Sequence, residues 1–160
     1  MMQAPEKISI SSLLNERAIL LNLTETNKNI LLTDLCHRLT KIYPDVPANI
    51  FLQYIIKREN ELSTGIGNYV AIPHALLNDI EEIHLLFATH QGLEYDSLDG
   101  KPVRIIFLLA IPSDKKELYG KLLMLVSRYL RDQRFREKLM QAQEPKIIIQ
   151  DFMDREINGG

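Results

Sequence analysis

The run Ser63-Thr64-Gly65-Ile66-Gly67-Asn68-Tyr69-Val70-Ala71-Ile72-Pro73-His74 holds the densest set of groups able to do chemistry in this chain. Gly65 and Gly67 lack a Cβ, so backbone N–H groups beside them can approach an anion closely. The polar loop feeds a short apolar strand that ends in Pro-His. Proline fixes its own φ and restricts the residue before it, so His74 is aimed with little entropy left to lose. Arg58 stands near the end of the preceding helix, and its planar fork of donors suits a phosphate. The candidate site is therefore His74 and Arg58, with Ser63, Thr64, Gly65, Gly67 and Asn68 as a phosphate-binding loop. Each has a plainer reading. Arg58 can be an exposed helix-end residue paired with Glu59 or Glu61, Thr64 and Asn68 can hold the loop by local hydrogen bonds, and His74 can be an idle strand-end histidine. The loop is not a nucleotide site: it lacks Gly-Lys-Ser/Thr and precedes a strand rather than opening a long helix.

Positioning those residues needs a scaffold, and apolar spacing outlines one. Ala18 to Leu23 reads as a strand. Leu31, Leu35, Leu39 and Ile42 recur at helical spacing within Asn27 to Tyr43, and Pro44 stops that helix. A second helix runs from Pro47 to Asn60, with Asp45 or Val46 at its cap. Three strands follow: Tyr69 to Ile72, Glu82 to Thr89, and Val103 to Ile111, the last nearly all apolar and so covered on both faces. Asp114 and Glu117 form a capping-box-like start to a helix ending near Leu130. Asp132 to Gln141 and Pro145 to Arg155 read as two more. The expectation is an α/β fold, a single layered domain with a mixed β-sheet flanked by helices.

Composition narrows the class. The 160 residues are 46% apolar and 25% charged, with 19 Lys+Arg against 21 Asp+Glu, which suits one folded domain. The near-neutral balance argues against bulk nucleic-acid binding. The longest apolar run, Ile105 to Ile111, is too short for a membrane span, and Met1 to Lys7 holds no leader core. A cytoplasmic protein is expected. Cys36, alone and among leucines, reads as a small buried hydrophobe. His37 reads as solvated; His84 and His90 lack partners at ligand spacing, so no metal site is expected. Six acids and no Lys or Arg lie between Asn78 and Gly100, whereas Ser113 to Lys138 holds eight bases and four acids. Such asymmetry can steer a protein partner or simply solvate exposed faces.

Arg58-Glu59, Ser63 to Asn68 and Ala71-Ile72-Pro73-His74, at this spacing, resemble the IIA components of the fructose/mannitol type in the bacterial phosphoenolpyruvate phosphotransferase system. Asp99-Gly100-Lys101-Pro102-Val103 and Leu108-Leu109-Ala110-Ile111-Pro112 extend the resemblance, which covers about Leu13 to Asp151 of a single 1–160 domain. The free-standing length is most similar to the nitrogen-regulatory branch. The resemblance implies that His74 accepts a phosphoryl group from a histidine of a small phosphocarrier protein and that Arg58 faces the phosphate. It implies no cofactor or metal, and a downstream regulatory protein as second partner. Four positions depart from the pattern. Tyr119 stands where the family has a second histidine, Leu62 and Tyr69 replace glycines, and Ala75 follows the histidine. Tyr119 can donate a hydrogen bond to a phosphoryl oxygen but cannot become cationic near neutral pH; at i+3, i+4 and i+7 it also faces Leu122, Leu123 and Val126, which fits a core edge. Two functions follow: a phosphohistidine relay acting mainly in regulation, or a regulatory binding module that keeps the fold with weak or no transfer. A general acid–base enzyme using His74 ranks below both, because no carboxylate partner is evident.

Overall fold

The computed structural model describes residues 7–159. The expectation made for Met1 to Lys7 falls mostly on residues 1–6, which lie outside the described residues. The elements run α1 (Ile10–Leu13), a 3-10 turn (Glu16–Ala18), β1 (Ile19–Leu23), α2 (Lys28–Ile42), α3 (Ala48–Glu61), β2 (Gly65–Gly67), β3 (Val70–Ala71), β4 (His74–Leu77), β5 (His84–Leu93), β6 (Val103–Pro112), α4 (Lys116–Leu130), α5 (Gln133–Gln141) and α6 (Pro145–Ile157). The architecture is the expected mixed sheet flanked by helices. The strand order is β1-β5-β6-β3-β2, and β4 also pairs with β6. The β1–β5, β3–β6 and β4–β6 pairs are parallel; β5–β6 and β2–β3 are antiparallel.

The central strand β6 is covered on both faces because both of its side-chain rows are apolar. Ile105, Phe107, Leu109 and Ile111 join one core with Leu122 and Val126 of α4, Phe135 of α5 and Phe152 of α6. Ile106, Leu108 and Ala110 join a second core with Leu35 and Leu39 of α2 and Phe51 and Ile55 of α3. Asn27 caps α2 by accepting the Ile30 N–H at 3.0 Å. Cys36 is buried in the second core, where desolvation pushes its thiol up to about 12. His37 is exposed. His90 is buried, and both of its ring nitrogens meet backbone groups.

Several boundaries differ from expectation for local reasons. Pro47 itself, not Asp45 or Val46, is the residue preceding α3, without a side-chain cap. Asp114 does not cap α4, which starts after Lys115, also without a side-chain cap. The strand expected over Tyr69 to Ile72 is shorter, and the chain resumes as β4 beyond Pro73. β3 pairs with Ile105 and Ile106, and β4 pairs with Leu109 through Pro112, so the two run along the same side of β6 with a break at Ile72-Pro73. Proline lacks the N–H that a continuous ladder needs. His74 thus opens a strand rather than closing one. Among the described residues no helix is long and apolar enough to cross a membrane.

Candidate functional site

His74 takes its direction from β4. Ala75 and Leu77 point into the second core, whereas Leu76 packs against the first, so His74 shares the α4 side of the sheet with Leu76. The Ile72 carbonyl, in the gap between β3 and β4, lies 2.8 Å from His74 Nδ1. A carbonyl can only accept, so Nδ1 carries the proton and Nε2 keeps a lone pair. Tyr119, in the first turns of α4, fits that tautomer: its hydroxyl is 3.0 Å from Nε2 and donates to it, and it is 3.2 Å from Nδ1. The two rings are tilted by 36° with centroids 4.7 Å apart. Tyr119 also packs at the edge of the first core, as does Leu123. The core-edge position and the contact with His74 are one arrangement rather than alternatives.

Burial lowers the His74 pKa from its ordinary 6.5; the Ile72 hydrogen bond opposes this, the Arg58 charge adds to it, and Glu59 opposes it weakly. Burial raises the Tyr119 phenol, against the pull of Arg58. Arg58 therefore acts on both rings. A cavity of about 510 Å³ lies between His74 and α3: Tyr54, Lys57, Arg58 and Glu61 form one wall, and His74, Ala75 and Leu76 the other. Arg58 pairs with neither Glu59 nor Glu61. Its Nη1 donates to the Leu62 carbonyl at 2.6 Å, in the last turn of α3.

The residues of the glycine segment sit elsewhere. Gly65 to Gly67 is the strand β2, and Asn68-Tyr69 is a two-residue hairpin turn with φ of 54° and 67°. Positive φ at both turn positions matches the twist of adjoining strands. The amides are used internally. Thr64 N–H donates to Glu59, Gly65 N–H to Ser63 Oγ, and Asn68 N–H to Asp99. Ser63, Thr64, Gly65, Gly67 and Asn68 do not line the His74 cavity, and neither do Leu62 and Tyr69. Leu62 projects outward at 61% exposure. Lys101 Nζ lies 5.4 Å and the Arg136 guanidinium 5.9 Å from the centre of the Tyr69 ring. The structure thus brings together Arg58, His74 and Tyr119 and gives the glycines a hairpin's work.

Two features escape sequence spacing because they form between distant elements. One is the Ile72 carbonyl, whose role depends on the break at Pro73. The other is His84, whose Nε2 lies 2.8 Å from Asp45 Oδ2 and whose ring stacks on Tyr43 at 4.2 Å. No group of three or more His, Cys, Asp or Glu with metal-binding geometry occurs among the described residues.

Comparison with known proteins bears on this arrangement. The family described as "Phosphoenolpyruvate-dependent sugar phosphotransferase system, EIIA 2" matches residues 12–154. A "PTS system fructose-specific EIIA component" of Haloferax volcanii is 33% identical over 103 residues, which are 64% of this chain and 66%, just under two thirds, of that protein. A "Nitrogen regulatory protein" of Bradyrhizobium diazoefficiens is 31% identical over 140 residues, covering 87% of this chain and 91% of that one. In three dimensions, the crystal structure of nitrogen regulatory protein IIA-Ntr from Neisseria meningitidis is similar, with a TM-score of 0.83 at 24% identity, over 89% of this chain and 98% of that one.

Proposed function

Because this chain belongs to the EIIA 2 family of the phosphoenolpyruvate-dependent sugar phosphotransferase system, we propose that it accepts a phosphoryl group on His74 Nε2 from a small phosphocarrier protein and passes the signal to a regulatory target. The observation that carries this reading is the Nδ1–H bond to the Ile72 carbonyl, which puts the ring's lone pair on Nε2, the atom that attacks once the Tyr119 hydroxyl releases it. The phosphorus–nitrogen bond on the carrier breaks as the bond to Nε2 forms. The carrier's imidazole, protonated on its other nitrogen, leaves as the neutral ring, and the Ile72 carbonyl steadies the positive charge left on His74. Little covalent help is needed, so catalysis is positioning and charge stabilisation. Arg58, the nearby fixed cation, balances the equatorial oxygens. Tyr119 yields Nε2 and turns its hydroxyl to a phosphoryl oxygen. The family relationship, with nitrogen regulatory proteins among the relatives, supports a mainly regulatory role.

One observation favours a second reading. In the resting structure the Tyr119 hydroxyl caps the atom that must attack. A module that binds partners without transferring phosphate would tolerate such a cap. Incubation with a reconstituted phosphoenolpyruvate-driven carrier chain separates the two. The expected result is an acid-labile phosphate by intact mass on the wild type and none on His74→Ala. A wild type that gains no phosphate leaves the binding-module reading in place.

A further inference from the structure

Glu59 takes no part in the transfer just described, yet it is buried to 6% exposure at the end of α3. A buried carboxylate is costly unless it is paired and hydrogen-bonded, and Glu59 is both. Its Oε1 meets Lys28 Nζ at 2.8 Å and accepts the Thr64 N–H at 3.0 Å. Its Oε2 accepts the Thr64 hydroxyl at 2.5 Å. With its proton given to Glu59, Thr64 Oγ1 accepts from the Tyr95 hydroxyl at 3.0 Å. Lys28 lies over the Tyr95 ring, 4.0 Å from its centroid, and donates to the Tyr95 carbonyl at 3.0 Å. Ser63 donates to that same carbonyl at 2.9 Å.

This network joins the start of α2, the end of α3, the entry to β2 and the segment after β5. Its mechanical effect falls on residues 62–64. Thr64 is clamped through both its amide and its hydroxyl, and Ser63 through its own hydroxyl. Leu62, whose side chain is exposed, is thereby held from its C-terminal side. The Leu62 carbonyl is the acceptor that grips the Arg58 guanidinium at 2.6 Å. The chain of contacts runs from Glu59 through Thr64 to the Leu62 carbonyl and on to Arg58, which faces the His74 cavity.

We propose that Glu59 is a positioning residue: with Lys28 and Thr64 it fixes the carbonyl that aims Arg58 at the phosphoryl group on His74. The consequence for rate rests on the function proposed above; the clamp on Arg58 does not. Two measurements test it. In the unphosphorylated protein, the Arg58 Nε–H resonance is expected to be that of a hindered guanidinium, averaged in Glu59→Gln and Thr64→Val and restored in Thr64→Ser. An equally hindered Arg58 in Glu59→Gln and Thr64→Val would overturn the proposal. In single-turnover transfer, Glu59→Gln is expected to slow the rate constant roughly 10- to 100-fold, the cost of ångström-scale misplacement, with the half-saturating carrier concentration unchanged. The double variant Glu59→Gln/Arg58→Ala is expected to be no slower than Arg58→Ala alone, and fully multiplicative losses would overturn the proposal. If Glu59→Gln does not fold, Thr64→Val carries both measurements. A wild type that takes no phosphate removes the proposed function, and the Arg58 resonance then decides the clamp by itself.

Discussion

At His74 a backbone carbonyl and a phenol divide one imidazole between them, and each has a measurable effect on its proton. Burial lowers the pKa below 6.5, so the ring is neutral at physiological pH. Only the neutral ring has a lone pair at Nε2. Acceptance of phosphate is therefore expected to be level above about pH 6.5 and to fall only as the pH drops through the lowered pKa. The Tyr119 hydroxyl donates to the neutral form and so favours it. Tyr119→Phe removes that bond. Losing a donor to the neutral ring is expected to raise the His74 pKa. Titration of the ring by NMR reads both effects. A pKa unmoved in Tyr119→Phe would mean that the hydroxyl does not hold Nε2.

At the scale of elements, the β2–β3 hairpin explains the two glycines without a ligand. A Cβ on Gly65 would overlap Ser97 Oγ and stand 3.0 Å from Ser97 Cα, so the Ser97 segment would have to shift, and Gly67 has φ of 97°. Gly65→Ala is expected to cost about 1–3 kcal/mol. Gly120, inside α4, is a control of opposite sign. A Cβ there would meet no neighbouring side chain or element within 4 Å, so Gly120→Ala is expected to gain about 0.5–1 kcal/mol. Urea midpoints at constant m-value measure both, and a neutral Gly65→Ala would remove the steric account. The hairpin also marks the limit of what spacing can disclose. The long elements were legible because their apolar periods are unbroken: α2, α3, β6 and α4 through α6 lie within two residues of expectation. The mixed sheet followed from them. His74 and Arg58 stood out by type and context. β2 and β4 were not legible: one is three residues of Gly-Ile-Gly, and the other begins just past Pro73, where spacing alone ends the strand. Nor was the internal use of the Thr64 and Asn68 amides, because their acceptors Glu59 and Asp99 arrive from other elements. Residue type revealed that amides were available, and only the fold decided what they bind.

For the whole molecule, the two cores share β5 and β6, so neither face can come apart without exposing the other. Leu85 and Phe87 of β5 face one core, and Leu86 and Ala88 face the other. The first core rests on four phenylalanines at right angles. The Phe152 ring stands 5.2 Å from Phe135, 6.0 Å from Phe87 and 6.1 Å from Phe107. Phe152 is fully buried, and truncating it to alanine is expected to cost about 3–5 kcal/mol. That is a large share of the roughly 5–15 kcal/mol that holds a domain of this size folded. If the cores are one cooperative unit, the loss is felt on both faces at once. The chain has no tryptophan and six tyrosines. Tyr95 lies in the α2–α3 core and Tyr129 in the core that Phe152 fills. Tyrosine fluorescence and far-UV circular dichroism are therefore expected to report one coincident transition in Phe152→Ala, moved to lower urea. Two separated transitions would mean that the faces unfold independently. The His74 cavity is lined by α3 and β4, not by α6. Phosphate acceptance per folded molecule is then expected to stay at the wild-type level, because Arg58 and His74 are held by the Leu62 and Ile72 carbonyls rather than by the aromatic cluster.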